Sequence, residues 1–427
     1  MFIDFSVKNF RSIKDLQTIS FVATGLKSPE QYVEVDRNNI VNEGELRLLK
    51  TVGIYGANAS GKSNVVLALD RFMEAIWSEA STESNLDELF QPFLFQTDRE
   101  NTDIFFQVNF LLEGKKYRYG FTVKKNMEYD GDNKNSRHII SSEWLFGPKE
   151  KNVVPLFTRK GLEIKKDKLA NHERIPPLQY PHTLFLTHAS AFDRESICTE
   201  VREFLRLYTL SNVNFKELAL FRRSALNLIE DEGRKEPFLA MMSAFGLPYD
   251  DVIVERGGDD DSKVVSLDKI FLTRNVVASD GKVYPVKLNL GTTESEGTRK
   301  LFDLLGLIYR AFDSVDPAMF ILDEIDSNFH PSLLIHLLKM FNNPEINKSN
   351  SQLLFTSHDT NLMSPSIMRR DQFFFAEKLD EATKVFSLSD LRGIRNDADF
   401  ARMYLSGLLG AKPILHDYKF IDSDGSN

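Results

Sequence analysis

Gly56-Ala57-Asn58-Ala59-Ser60-Gly61-Lys62-Ser63 decides how the rest of the chain is read. An apolar run, Leu48–Tyr55, broken by Lys50 and Thr51, precedes it. An amphipathic stretch, Asn64–Trp77, follows, with Val65, Val66, Leu69, Phe72, Met73 and Ile76 on one side. The order is strand, glycine loop, helix. A G-x-x-x-x-G-K-[ST] loop wraps a phosphate chain with backbone N–H groups at a helix N-terminus. Glycines let the backbone come within hydrogen-bonding distance of the phosphates. In such a loop Gly56, Asn58, Ser60, Gly61 and Asn64 line the nucleotide. Lys62 reaches the β- and γ-phosphates, and the Ser63 hydroxyl ligates Mg²⁺.

The 427 residues hold two or three domains' worth of chain, or one large domain with an insertion. A hydrophobic share of 42% supplies a sizeable core, and the 34 phenylalanines read as core packing. A net charge of −9 argues against a chain coated in nucleic acid, though not against a local basic groove. The single cysteine, Cys198, excludes an internal disulfide and suits a reducing compartment. No apolar run reaches the length of a membrane span, since Leu301–Phe312 contains Asp303 and Arg310. Met1–Phe5 lacks the basic start of a secretion signal, so the expectation is a cytoplasmic protein.

Along the chain, residues 1–25 read as two strands joined at Asn9–Asp15, and residues 26–47 as a surface loop. Ser78–Glu88 reads as a polar connection. Residues 104–123 form a hairpin turning at Glu113-Gly114-Lys115, with a second strand pair at Ser141–Phe146 and Val153–Thr158. Leu184–Leu186 reads as a short strand. Helical spacing takes over at 195–246, strands return at 252–290, and helices alternate with strands from 298 onward. Asp259-Asp260-Asp261, Arg222-Arg223 and Lys165–Lys168 read as solvated segments rather than metal or phosphate sites.

A second half of a nucleotide site lies far downstream. Ala318–Leu322 is a continuous apolar run, as expected of a parallel strand buried on both faces, and it ends in Asp323-Glu324. The C-terminal ends of such strands carry the ligands of open α/β sheets. There Asp323 holds Mg²⁺, and Glu324 polarises a water for attack on the γ-phosphate. A second apolar strand, Gln352–Ser357, ends in His358, which is placed to meet the γ-phosphate or that water.

These motifs, in the order Gly56–Ser63, Glu294-Ser295-Glu296-Gly297-Thr298, Leu322-Asp323-Glu324, Asp326 and His358, resemble the ABC-type ATPase branch that includes SMC, RecF and OLD-family proteins. Asn58 within the loop is also similar to that branch. The chain most resembles the RloA-like group of stand-alone ATPases, through Asn9-Phe10-Arg11-Ser12, Tyr55–Asn64, Glu294–Phe302, Ile325–Pro331, Ser387–Arg395 and Tyr404–Pro413. Residues 80–290 match only loosely.

The resemblance implies an α/β fold, an ABC-type P-loop head with a mixed sheet and a helical and stranded insertion. Its lobes would be 1–194 and 290–415, the insertion 195–289, and 416–427 a tail. The resemblance makes Ser295 and Gly297 the signature that meets the partner subunit's γ-phosphate, although the usual L-S-G-G is absent and Glu294 and Glu296 flank the serine. A plain helix cap is the alternative for that segment. The resemblance also makes Asp326 the aspartate communicating between two sites, and puts Asn9 and Arg11 near the nucleotide, with an exposed strand-end pair as the alternative. Gln91, Gln96 and Gln107 are equal candidates for a further nucleotide-sensing glutamine. The implied activity is ATP hydrolysis with Mg²⁺ by a dimer or larger assembly. In this group the ATPase regulates a separate, nuclease-like effector in anti-phage defence; a RecF- or SMC-like repair ATPase that binds DNA directly is the alternative.

Overall fold

The computed structural model describes residues 1–77, 84–129, 136–149, 152–211, 218–255, 266–314, 317–327 and 329–411. Asp259-Asp260-Asp261 and the tail 416–427 lie outside the described residues.

In chain order, β1 (Phe2–Lys8) and β2 (Gln17–Ser20) pair antiparallel. After α1 (Val33–Asn39) come β3 (Ile40–Glu43) and β4 (Leu46–Leu49), a hairpin. The apolar β5 (Thr51–Tyr55) leads through the glycine loop to α2 (Lys62–Trp77) and α3 (Ser84–Leu89). Four long strands follow, β6 (Ile104–Leu112), β7 (Lys115–Lys125), β8 (His138–Lys149) and β9 (Asn152–Lys160), with the short β10 (Glu163–Lys165). Next are α4 (Phe185–Phe192), α5 (Ile197–Tyr208), β11 (Thr209–Ser211), α6 (Leu218–Glu230) and α7 (Glu232–Ala244). A small antiparallel sheet holds β12 (Asp251–Val254), β13 (Ile270–Val277) and β14 (Val283–Asn289). The chain closes with α8 (Glu296–Asp313), β15 (Met319–Leu322), α9 (Pro331–Asn342), β16 (Gln352–Ser357), β17 (Phe373–Leu379), β18 (Ala382–Ser387) and α10 (Phe400–Leu405).

Two sheets organise the molecule. One is antiparallel, ordered β10-β9-β8-β7-β6-β1-β2. The other is ordered β11-β15-β16-β5-β17-β18, parallel from β11 to β17 with an antiparallel β18 at the edge. Every residue of β5, β15 and β16 is buried, which is why these strands are apolar without alternation. α2 carries Val65, Leu69, Phe72 and Ile76 into the core it shares with the antiparallel sheet, where Phe72 stacks on Phe121 at 5.2 Å. α8 and α9 bury their apolar faces on the other side of the parallel sheet. The fold is thus mixed α/β, with the glycine loop, Asp323-Glu324 and His358 at the C-terminal ends of β5, β15 and β16.

The structure departs from four local expectations. Residues 26–47 are not a loop. They form α1, β3 and the first half of β4, because Ile40, Val41, Leu48 and Leu49 are buried against the head, although the polar residues between them hide any periodicity. Leu184–Leu186 opens α4 instead of a strand. The buried Glu143 carboxylate accepts from the N–H groups of Phe185 and Leu186 at 2.6 and 2.9 Å, a helix cap supplied 42 residues upstream. The connection 78–88 contains the start of α3. Residues 197–211, placed with the insertion by their helical spacing, pack with the head: α5 lies on α2 and β11 runs beside β15.

Candidate functional site

Strand order brings the motifs together. β16 lies between β5 and β15, with Tyr55 opposite Ser357 and Leu322 opposite Phe355. The glycine loop, Asp323-Glu324 and His358 therefore leave three adjacent strands on the same edge.

Within the loop, Gly61 adopts φ +97°, and a Cβ there would sit 1.9 Å from Thr383 Oγ1. The backbone needs glycine on both counts. Lys62 begins α2, is buried, and donates from Nζ to the carbonyls of Gly56 and Ala57 at 3.0 and 3.1 Å. Burial lowers its pKa, against the pull of Asp323, Asp326 and Glu324. Its charge is held across the loop it springs from.

Ser63 Oγ donates to Asp323 Oδ1 at 3.3 Å, and Thr356 Oγ1 donates to the same oxygen at 2.5 Å. The Glu324 N–H donates back to Thr356 Oγ1 at 2.7 Å, and the Ile325 N–H to the Thr356 carbonyl at 3.0 Å. Thr356, the penultimate residue of β16, therefore fixes the turn that presents both carboxylates. Glu324 has φ +47°, a left-handed conformation uncommon for a non-glycine residue, and its side chain is exposed. Asp326 accepts from the His358 N–H at 3.3 and 3.2 Å. His358 is held below its usual pKa, first by loss of solvation and then by the Lys62 charge, so its imidazole is neutral at pH 7.

A hydroxyl relay underpins the loop. Thr383 Oγ1 on β18 donates to the Ser60 carbonyl at 2.9 Å, Ser12 Oγ donates to Thr383 at 2.7 Å, and Asn64 Nδ2 donates to Ser12 at 2.6 Å. The direction follows from its ends, since a carbonyl only accepts and an amide N–H only donates. Arg11, exposed at φ +50°, donates from Nε to Gln91 Oε1 at 2.6 Å and from Nη1 to Asn64 Oδ1 at 3.4 Å. Of the three candidate glutamines, Gln91 alone meets Arg11. Gln96 bonds to Asn9, and Gln107 accepts from Trp144. Asn9 is buried and holds Phe93, Thr102 and Asp103 instead of facing the loop.

The chain also matches, over residues 52–364, a family described as "AAA domain, putative AbiEii toxin, Type IV TA system". The chain belongs to this AAA family. The matched span runs from inside β5 past His358 and includes Ser295 and Gly297; the Thr383 relay lies beyond it. No curated protein matches the chain. Among solved structures it is similar to the "SMC head domain from Thermotoga maritima" at 13% identity and a TM-score of 0.42, over 90% of this chain and 98% of that one. It is also similar to a structure titled "Crystal structure of the SmcHead bound to the C-winged helix domain of ScpA" at 14% identity and a TM-score of 0.34, over 90% and 97% of the two chains.

In this member of the AAA family the Glu294–Thr298 segment is built as a helix start. Ser295 is the N-cap of α8, accepting from the Thr298 N–H at 3.1 Å, and Arg299 donates to the carbonyls of Leu290 and Glu294. Among the described residues no hydrogen bond joins Ser295 or Gly297 to Gly56–Ser63. Arg222 forms an ion pair with the buried Asp303 at 3.2 Å, so it is neither solvated nor a phosphate contact. Among the described residues no cluster of three His, Cys, Asp or Glu side chains is arranged to hold a metal, and no helix is long and apolar enough to cross a membrane. The donors that do converge, Ser63 Oγ and Asp323, are oxygens, which suits a hard cation completed by water and phosphate oxygens.

The relay was hidden from sequence because Ser60 and Thr383 lie 323 positions apart. Thr356 stood inside a recognised strand, yet an apolar run carries no signal that one hydroxyl in it has a partner.

Proposed function

We propose that the chain binds Mg²⁺–ATP and hydrolyses it to ADP and phosphate as a dimer or larger assembly. The observation that carries the reading is the joined set Ser63–Asp323–Thr356–Glu324, where one threonine holds the Asp323 carboxylate and the backbone of the exposed Glu324 beside the glycine loop. Membership of the AAA family supports it.

Bound Mg²⁺–ATP supplies the γ-phosphoryl electrophile. The backbone N–H groups of Ser60–Ser63 and the N-terminus of α2 hold the phosphate chain, together with Gly56, Asn58 and Asn64. Lys62 exchanges its carbonyl partners for phosphate oxygens. Ser63 and Asp323 hold the cation. Glu324 accepts the proton of the attacking water, and neutral His358 orients that water or the γ-phosphate. Arg11 borders the site through Asn64. Ser295 and Gly297 at the start of α8 close the site of a second copy, and Asp326 links the two sites through the His358 turn.

The finer reading is that nucleotide state controls a separate effector protein, nuclease-like, in anti-phage defence, with the chain in the cytoplasm. The words "toxin" and "TA system" in the family's description support a two-component setting.

The test uses two variants. Lys62→Ala loses ATP binding. Glu324→Gln keeps binding, loses turnover by about 10²–10⁴-fold, the range of one general base, and accumulates as an ATP-bound dimer in light scattering. Turnover by Glu324→Gln at the wild-type rate overturns the assignment of the base. Co-purification with the product of an adjacent gene supports the effector reading, and turnover by the chain alone that rises with added DNA counts against it.

A further inference from the structure

Tyr55 ends β5, next to Gly56, and lies opposite Ser357 on β16 and Phe375 on β17. Its ring packs against Phe355, Phe373 and Phe375, with centroids 6.1, 5.9 and 6.4 Å away, and the side chain is 0% exposed. A phenylalanine would fill that space equally well, so packing accounts for the ring and not for the hydroxyl. That hydroxyl has no hydrogen-bond partner among the described residues. Close by, Asp359 uses Oδ1 to accept from the backbone and side chain of Asn361 at 2.9 and 2.6 Å, while its Oδ2 is buried and unpaired. Asp359 and Asp326 are the two charges felt at the hydroxyl, Asp359 more strongly; with burial they keep it protonated, and therefore a donor. A buried donor and a buried acceptor left unpaired in one neighbourhood are the setting in which an ordered water is held.

We propose that Tyr55 is a positioning residue for the turn that carries His358, its hydroxyl donating to a buried water that donates in turn to Asp359 Oδ2. This ties the strand feeding the phosphate loop to the turn after β16. Asp326 holds the same turn from the other side by accepting from the His358 N–H. Tyr55 thereby makes the position of His358 depend on the strand that supports the bound phosphates. The inference rests on the ATPase reading of the site.

Tyr55→Phe removes the hydroxyl alone. Its kcat for ATP is expected to fall about 5–30-fold, the loss of one buried hydrogen bond, with KM within about twofold of wild type. Asp359→Asn falls similarly, and the double variant falls no further than the weaker single one. Tyr55→Phe at the wild-type kcat, or a double variant whose losses multiply, overturns the inference. A second readout needs no turnover. In the nucleotide-free full-length chain, hydrogen exchange of the 357–361 backbone is expected to quicken about 5–30-fold in Tyr55→Phe, by the same hydrogen-bond loss. Unchanged exchange overturns the inference. A wild-type chain that does not hydrolyse ATP overturns the ATPase reading, and exchange then decides on Tyr55 alone.

Discussion

Thr383→Val tests whether the phosphate loop is held in shape from a distant strand. Valine keeps the volume of threonine and replaces the hydroxyl by a methyl. Thr383 is 2% exposed, so little else changes. The substitution removes two hydrogen bonds, the 2.9 Å bond to the Ser60 carbonyl and the 2.7 Å bond from Ser12. It leaves that carbonyl without its side-chain donor, and it strands the Ser12 hydroxyl that Asn64 meets from the other side. One buried group left unpaired costs about 1–3 kcal/mol. The backbone bond from the Thr383 N–H to the Ser12 carbonyl, 2.6 Å, survives, so β18 stays docked and the loss falls on the loop. If about 1–2 kcal/mol of it is charged to nucleotide binding, Kd for ATP rises about 5–30-fold. Calorimetric titration with a non-hydrolysable ATP analogue measures this directly. Thr383→Ser keeps the hydroxyl and is expected to bind within about threefold of wild type, since it forfeits only a methyl. A Thr383→Val variant that binds as tightly as wild type, or a serine variant as weak as the valine one, would refute the relay.

Two further predictions concern stability. Lys50 is 1% exposed and donates to the Asn342 carbonyl at 3.2 Å; burial lowers its pKa to about 8. The unfolded chain binds that proton up to its ordinary pKa near ~10.5, so stability rises with pH between about 8 and that value, and below pH 8 the folded protein carries the full cost, about 3 kcal/mol. Lys50→Met is expected to raise the urea midpoint at pH 7 and to flatten that rise; an unchanged slope refutes it. Gly306 on α8 faces Ala225 on α6, where a Cβ would lie 2.5 Å from the Ala225 Cβ and 2.6 Å from its backbone nitrogen. Helix propensity favours Gly306→Ala by about 1 kcal/mol, whereas overpacking against a backbone costs about 1–3 kcal/mol or more. The expected sign is destabilising, read as a lower Tm, and a higher Tm would refute the close approach.

The legible parts of this protein share one property: each is encoded in a contiguous stretch. The glycine loop needs its neighbours in a set order, the buried parallel strands need uninterrupted apolar runs, and α2 and the β6–β7 hairpin follow their own periodicities. The illegible parts depend on groups brought in from elsewhere. α4 begins where Glu143 caps it, not where its own residues signal a start. The β3–β4 hairpin exists because its four buried apolar residues meet the head. Arg222 looked like a surface cation because Asp303 lies 81 positions away.

The chain alone determined that a phosphate loop precedes a helix and that two strands downstream end in Asp323-Glu324 and His358. Local chemistry suffices for that, since a loop that wraps phosphate has few allowed sequences. Only the tertiary structure decided that β16 inserts between β5 and β15, that Thr356 and Thr383 hold the two halves in register, and that Gln91 rather than Gln96 or Gln107 meets Arg11. Strand order and side-chain hydrogen bonds across hundreds of residues are set by which buried polar groups can be paired at once. That condition belongs to the folded chain as a whole, and no single stretch of it carries the answer.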